Sequence, residues 1–322
     1  MIEAVLVFLA ALCVSWIVTY LLIPRLKRAG IIGKDMNKEG APGIPEMGGI
    51  GVVAGFSAGV LLAIMLSTFD DGFAFNITYV LAALATIHAM AFIGIVDDLL
   101  SVPQAVKALL PLLAAVPLIA VKAAGSTSMM FPFIGVVDFG IFYILVLIPV
   151  GVAVASNLTN MLAGFNGLEA GLGAMIMFFM AAIALAQGNN EMVVLYIPML
   201  GALLAFLWFN WYPAKVFPGD VGTLTVGAVL ASGVIIGNLE SAGALIMLLF
   251  VADFFIKLAK GFPQSFGEPK MGKLYPKGGE VQGLAPLIMK LKGGITEKKL
   301  VYALLGAQFV LSLVVFLLFV RL

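Results

Sequence analysis

Residues Ile77 to Leu100 read ITYVLAALATIHAMAFIGIVDDLL. The first part, 77–96, contains no Asp, Glu, Lys or Arg, and roughly 20 apolar residues in helical form are what a bilayer crossing requires. Two adjacent carboxylates, Asp97 and Asp98, follow at once. Apolar runs bounded by polar clusters recur to either side, and further spans are read at 2–23, 47–68, 104–122, 139–159, 168–187, 191–209, 221–237, 240–259 and 299–320. The expected fold class is all-α, a polytopic membrane protein of about ten transmembrane helices, with residues 1–322 forming one integral membrane domain. Composition agrees. The chain is 62% hydrophobic and 11% charged with a mean hydropathy of +1.14, whereas soluble domains carry about 25% charged residues.

A net charge of +1 supplies no basic field for nucleic acid. Cys13 is the only cysteine, which excludes an intramolecular disulfide and a cysteine metal cluster. The first run lacks a preceding basic segment and is followed by Arg25, Lys27 and Arg28, so it is read as a retained helix. Pro111, Pro117, Pro149 and Pro198 fall inside spans and predict kinks. Gly51, Gly55 and Gly59 form a small-residue stripe that predicts close helix packing.

Orientation follows from the basic residues. With the loop 24–46 cytoplasmic, sixteen of the eighteen Lys and Arg lie on or near the cytoplasmic side, and Lys122 and Arg321 remain outside. The outer connections carry Asp70, Asp71, Asp138, Glu191 and Glu240. The long loops 24–46 and 260–298 are both inside, so the site is expected to face the cytoplasm. The membrane would be the cell membrane of a prokaryote or the endoplasmic reticulum of a eukaryote.

Candidate chemistry gathers at that boundary. Adjacent carboxylates such as Asp97 and Asp98 repel at a low-dielectric edge unless a cation sits nearby; the alternative is a solvated pair where a loop begins. Asn157-Leu158-Thr159-Asn160 ends the fifth span, Gly164-Phe165-Asn166-Gly167-Leu168-Glu169 opens the sixth, and Phe217-Pro218-Gly219-Asp220 precedes the eighth. Asp220 is either a helix cap or part of the site. Hard oxygen ligands without histidine or thiolate suit Mg2+, with Mn2+ as a substitute, and magnesium commonly completes its shell with substrate phosphates. Lys107 is a cation placed for phosphate, or else a lysine snorkelling to the interface. The only histidine, His88, lies nine residues before Asp97 on the opposite helix face and roughly 13 Å away, and reads as a packed or hydrogen-bonded core residue. Asp253 and Lys257 have the spacing of a helical ion pair near the inner boundary, while an intramembrane acid keeps a contribution to the site open.

At these residues the chain resembles the polyprenyl-phosphate N-acetylhexosamine-1-phosphate transferase superfamily, the glycosyltransferase 4 family. The matching motifs are GKDMNK with IPE (Gly33 to Glu46), IGIVDDLL (Ile93 to Leu100), NLTNMLAGFNGLEAG (Asn157 to Gly171) and FPGDVGTLTVG (Phe217 to Gly227). The resemblance implies a ten-helix enzyme in which a polyprenyl or dolichyl phosphate attacks the β-phosphate of a UDP-sugar, yielding lipid-diphosphate-sugar and UMP. It implies Asp97 and Asp98 as the candidate base, Lys107 as the phosphate grip, and Asn160 and Asp220 as magnesium ligands. Gly164, Asn166 and Phe217 match uracil-holding positions, with Phe217 stacking; Met36 and Glu46 match nucleoside contacts. Relatives carry histidines or an Arg-His-Arg cluster in the last cytoplasmic loop, but residues 260–298 contain neither His nor Arg. Lys270, Lys273 and Lys277 are candidate substitutes. The KDMNK and IPE segments are more similar to the GlcNAc-transferring eukaryotic and archaeal branch, so UDP-GlcNAc and a dolichyl-type lipid are the expected substrates. The alternatives are another UDP-N-acetyl sugar such as UDP-MurNAc-pentapeptide, a non-catalytic relative, or a secondary transporter. Membrane lipid and a second copy of the chain are further candidate partners.

Overall fold

The computed structural model describes residues 2–69, 73–122, 125–132 and 134–320. Asp70, Asp71 and Arg321, read above as outer charges, lie outside the described residues. Among those described, nine helices are long and apolar enough to cross a membrane, and a helix pair bent by 59° completes a tenth span. The protein is a multi-pass integral membrane protein.

The first three spans are α1 (Ile2–Ala29), α2 (Gly49–Ser67) and α3 (Ile77–Leu100). The fourth is broken into α4 (Gln104–Ala114) and α5 (Val116–Lys122), because Pro117 has no N–H to continue the ladder and instead opens a new helix. The fifth starts as a π-helical stretch, Tyr143–Leu147, and continues as α6 (Ile148–Met161) with Pro149 in its first turn. Then come α7 (Leu168–Gln187), α8 (Asn190–Asn210) and α9 (Gly219–Gly237). The bent span is α10 (Glu240–Ile246) with α11 (Leu248–Leu258). After the short α12 (Leu284–Leu291), α13 (Glu297–Phe319) ends the bundle.

Among the described residues, three two-stranded antiparallel hairpins decorate it: β1 (Ile32–Lys34) with β2 (Gly43–Pro45), β3 (Ser128–Phe131) with β4 (Gly135–Asp138), and β5 (Gly267–Lys270) with β6 (Lys273–Pro276). The first and third lie in the two long loops of the site end. The loop 260–298 is therefore built, with the β5–β6 hairpin and α12 giving it a fixed shape.

Burial ranks the helices. In α9, 89% of the span is buried, against 22% in α1, so α9 forms the axis and α1 lies on the periphery. Lipid tails are as apolar as leucine, so helices in a bilayer associate through close packing, not through hydrophobic transfer. Small residues supply that closeness. A β-carbon at Gly55 would stand 2.5 Å from the Ala11 carbonyl oxygen, and one at Gly59 would stand 2.5 Å from Pro198 Cβ; the glycine stripe is a seam joining α2 to α1 and α8. His88 is hydrogen-bonded within the helices, its Nε2 2.8 Å from Ser57 Oγ and its Nδ1 2.7 Å from the Leu84 carbonyl.

Two further glycines place the site. At Gly94 a β-carbon would lie 2.5 Å from Val221 Cα, and at Gly227 one would lie 2.5 Å from Ser156 Cα and overlap the Ala155 carbonyl oxygen. Here α3 and α6 each touch α9 backbone to backbone. The polar ends of three helices distant in sequence are thereby brought within side-chain reach.

Candidate active site

Where α9 begins, its first N–H groups have no intrahelical acceptor and need one from elsewhere. Asp98, at the end of α3, supplies it: its Oδ1 accepts from Asp220 N at 2.8 Å and its Oδ2 from Val221 N at 3.1 Å. Asp220 is thus not the cap of its own helix. Capping by Asp98 leaves the Asp220 side chain free to project from the first turn of α9.

There it meets Lys107 of α4. The Lys107 ammonium donates to Asp220 Oδ2 and also pairs with Asp97 Oδ2, while Asp97 Oδ1 accepts from Val102 N at 2.9 Å. Asn160, at the end of α6, closes the cluster. Its amide is satisfied with the nitrogen 2.9 Å from Thr223 Oγ1 and 3.1 Å from Asp220 Oδ1, and the oxygen 3.1 Å from Lys107 Nζ. Two carboxylates, an amide oxygen and an ammonium therefore converge from four helices. Repulsion between the carboxylates is offset by the lysine between them.

Asp220 and Asn160 also form part of the floor of a cavity of about 310 Å³. Met36, Glu46, Gly164 and Phe217 line the same cavity. The loops carrying Glu46 and Phe217 are stitched together, with Phe217 N donating to the Pro45 carbonyl and Gly48 N to the Phe217 carbonyl, both at 2.8 Å. Gly164 has φ +101, a backbone state that favours glycine, and a β-carbon there would lie 2.8 Å from the Phe266 ring. Glu46 is half-buried; burial, and next the Asp220 carboxylate, push its carboxyl above the ordinary glutamate range.

Asn166 is placed differently. It does not line the cavity but lies behind it, 3% exposed, with its side chain donating to Asp35 Oδ2 at 3.1 Å and accepting from Ala214 N at 2.8 Å. Its backbone N–H donates to Glu297 Oε1 at 2.8 Å. Asn37 bonds the loop from the other side, donating to the Gly164 carbonyl at 2.5 Å and accepting from Gly267 N at 2.8 Å. Lys38 completes the hub by pairing with Glu297 and, at 3.3 Å, with Asp35. Asp35, Asn37 and Lys38 stand inside the GKDMNK motif, although their roles are not readable from it; Glu297 carries no motif.

The loop lysines do not meet at the cavity. Lys270 pairs with Glu268 at 3.0 Å on the exposed hairpin, and Lys273 is its cross-strand partner. Lys277 lines a separate open recess of about 470 Å³ that shares Pro263 and Gln264 with the main cavity. Asn157 turns back to its own helix, donating to the Ala153 carbonyl at 2.8 Å.

Among the described residues, no three His, Cys, Asp or Glu side chains are grouped so as to hold a metal ion. The donors present are nevertheless hard oxygens, those of Asp220 and Asn160, already turned toward a cation. This set fits an ion such as magnesium, which takes one or two carboxylates and shares the rest of its shell with water and phosphate.

The family model for glycosyl transferase family 4 matches residues 80–238, which include Asp97, Asp98, Lys107, Asn160 and Asp220. The chain is 35% identical to the Saccharolobus solfataricus protein named "Putative UDP-N-acetylglucosamine--dolichyl-phosphate N-acetylglucosaminephosphotransferase" across 94% of this chain and 92% of that one. The Dictyostelium discoideum UDP-N-acetylglucosamine--dolichyl-phosphate N-acetylglucosaminephosphotransferase is 29% identical across 93% and 85% of the two chains. A phospho-N-acetylmuramoyl-pentapeptide-transferase of Halalkalibacterium halodurans is 32% identical across 78% and 79%. A match that spans the whole four-helix cluster, together with relatives aligned almost end to end, places this chain in glycosyl transferase family 4.

Proposed function

We propose that the protein transfers N-acetylglucosamine 1-phosphate from UDP-GlcNAc to a polyprenyl phosphate of the dolichyl type, giving lipid-diphosphate-GlcNAc and UMP at the cytoplasmic face. The observation that carries this reading is the convergence of Asp97, Lys107, Asn160 and Asp220 beside a cavity open at the polar end of the bundle. The relatives' names point to the two substrates.

Phosphoryl transfer demands positioning and charge stabilisation more than covalent chemistry by the protein. Phe217 and Gly164 would hold the uracil ring, and Met36 and Glu46 the nucleoside. Lys107 would grip the lipid phosphate, with Asp97 beside it to take the proton from that phosphate. A lipid-phosphate oxygen then bonds to the β-phosphorus while the bond from that phosphorus to the α-phosphate oxygen breaks, releasing UMP. Both oxygens of Asp98 face the α9 backbone, whereas Asp97 Oδ2 faces the Lys107 ammonium that would grip the phosphate, which favours Asp97 as the base. Asn160 and Asp220 would hold Mg2+, which supplies charge neutralisation for the diphosphate. An apolar cavity of about 320 Å³ between α6, α9 and the bent α10–α11 span, lined by Leu158, Leu230 and Val251 among others, would take part of the isoprenoid chain.

The test is UMP release by detergent-purified protein supplied with UDP-GlcNAc, a dolichyl phosphate and magnesium, each omitted in turn. Release that needs all three supports the reading. Silence from folded protein across a panel of UDP-sugars that includes UDP-MurNAc-pentapeptide would overturn it.

A further inference from the structure

A diphosphate-sugar needs cations, yet the exposed lysines of the last loop stand away from the cavity. Among the described residues, the cavity wall itself carries two lysines, Lys34 and Lys257. Lys34 is exposed on the first hairpin, whereas Lys257 on α11 is 7% exposed. A buried ammonium must be paired, and Asp253, one turn earlier and 1% exposed, lies 2.8 Å from it.

The pairing does not exhaust it. An ammonium has three N–H donors. One donates to the Met161 carbonyl, next in the chain to Asn160, while Asp253 Oδ2 is an ion contact that lacks hydrogen-bond geometry. The ammonium has no further protein acceptor among the described residues. We propose that Lys257 is the cation that binds the sugar-linked phosphate of the nucleotide-sugar, an inference that rests on the transferase reading above.

Three features suit it to that role. Its site is partly shielded from water, so its attraction for phosphate is less screened than that of a loop lysine. Its side chain is held by two contacts before substrate arrives, which lowers the ordering cost of binding. Asp253 also fixes the loop over the cavity: its Oδ1 accepts from Leu284 N at 2.7 Å, at the start of α12. At Gly283 a β-carbon would come within 2.7 Å of that same oxygen. The pair thus joins the cation to the segment that walls the cavity with Ser265 and Phe266.

The experiment is calorimetric titration of the full-length protein in detergent with magnesium, using uridine, UMP, UDP and UDP-GlcNAc. Lys257→Met is compared with Asp253→Leu/Lys257→Met, in which apolar replacement of both partners avoids a stranded buried charge. Lys257→Arg keeps the charge. The expected result is a fall in affinity for UDP and UDP-GlcNAc by about tenfold or more, the scale of one lost hydrogen bond to a charged group. Uridine affinity should be unchanged in both methionine variants, and Lys257→Arg should recover part of the loss. Equal losses for uridine and UDP would make Lys257 a packing residue and overturn the proposal, as would unchanged UDP affinity in folded protein. Wild-type protein that bound no nucleotide at all would instead remove the transferase reading, and this inference with it.

Discussion

Asp220 joins three interactions in one residue. Its carboxylate pairs with Lys107, its other oxygen faces the Asn160 amide at 3.1 Å, and its backbone N–H is held by Asp98 at 2.8 Å. Asp220→Asn keeps the size and the backbone bond but removes the charge. Turnover should fall by at least about 10³-fold, on the scale of losing a charge-stabilising group in phosphoryl transfer, with little change in thermal midpoint. Retained activity with ordinary magnesium dependence would mean that Asp220 is structural. Glu46 offers a pH test. Because its carboxyl is pushed upward by burial and by Asp220, the folded state binds its proton more tightly than the unfolded state does. The stabilising contribution is then complete below the unfolded glutamate range and is lost as pH rises through the folded value. Glu46→Gln cannot titrate, so the wild-type-minus-variant difference in thermal midpoint should decline across that window. A flat difference would assign Glu46 an ordinary carboxyl.

At the scale of elements, the site depends on how closely α9 is approached by its neighbours. Gly227 lets the α6 backbone come within van der Waals range, since any β-carbon there would overlap the Ala155 carbonyl oxygen. Gly227→Leu should cost about 1–3 kcal/mol through overpacking and should also reduce turnover, because Asn160 and Asp220 sit on the two helices forced apart. Gly306 on α13 has open space around it, with nothing within 4 Å of where a β-carbon would stand, so Gly306→Ala serves as the control and should leave both melting and turnover unchanged. If the Gly227 variant matched this control, the backbone contact would have no part in assembling the site.

For the whole molecule, the hub of Asp35, Lys38, Asn166 and Glu297 ties the loop between α1 and α2 to the start of the last span. Its Lys38–Glu297 pair closes a separation of 259 residues. Asp35 and Glu297 are 4% and 5% exposed, so the hub is shielded and its charges are strongly felt. Glu297→Gln keeps an acceptor for Asn166 N but weakens the tie to Lys38. The Gly164–Asn166 wall should loosen, raising KM for UDP-GlcNAc several-fold with kcat little altered. A fall in kcat at constant KM would instead place the hub's influence on the Asp97–Lys107–Asp220 cluster.

Membrane class, the approximate positions of the spans and the end of the bundle at which polar residues collect are all legible in the sequence. Each is a local property: roughly 20 apolar residues make a span wherever they occur, and polar groups fall where the apolar run stops. Their place at the span ends also singled out Asp97, Asp98, Lys107, Asn160 and Asp220, and motif resemblance added the expected role of each. Tertiary structure decided what no run of residues encodes. It made Asp98 the cap of another helix, put Lys107 between two carboxylates, withdrew Asn166 behind the cavity wall and turned Lys257 toward the cavity. It also left the three loop lysines outside that cavity. These outcomes depend on backbone approaches at Gly94 and Gly227 and on bonds between residues more than a hundred positions apart, such as Asp98 with Asp220 and Asn166 with Glu297. Such contacts arise only when the helices pack together, because a buried polar group takes whichever partner the packing brings within hydrogen-bonding distance.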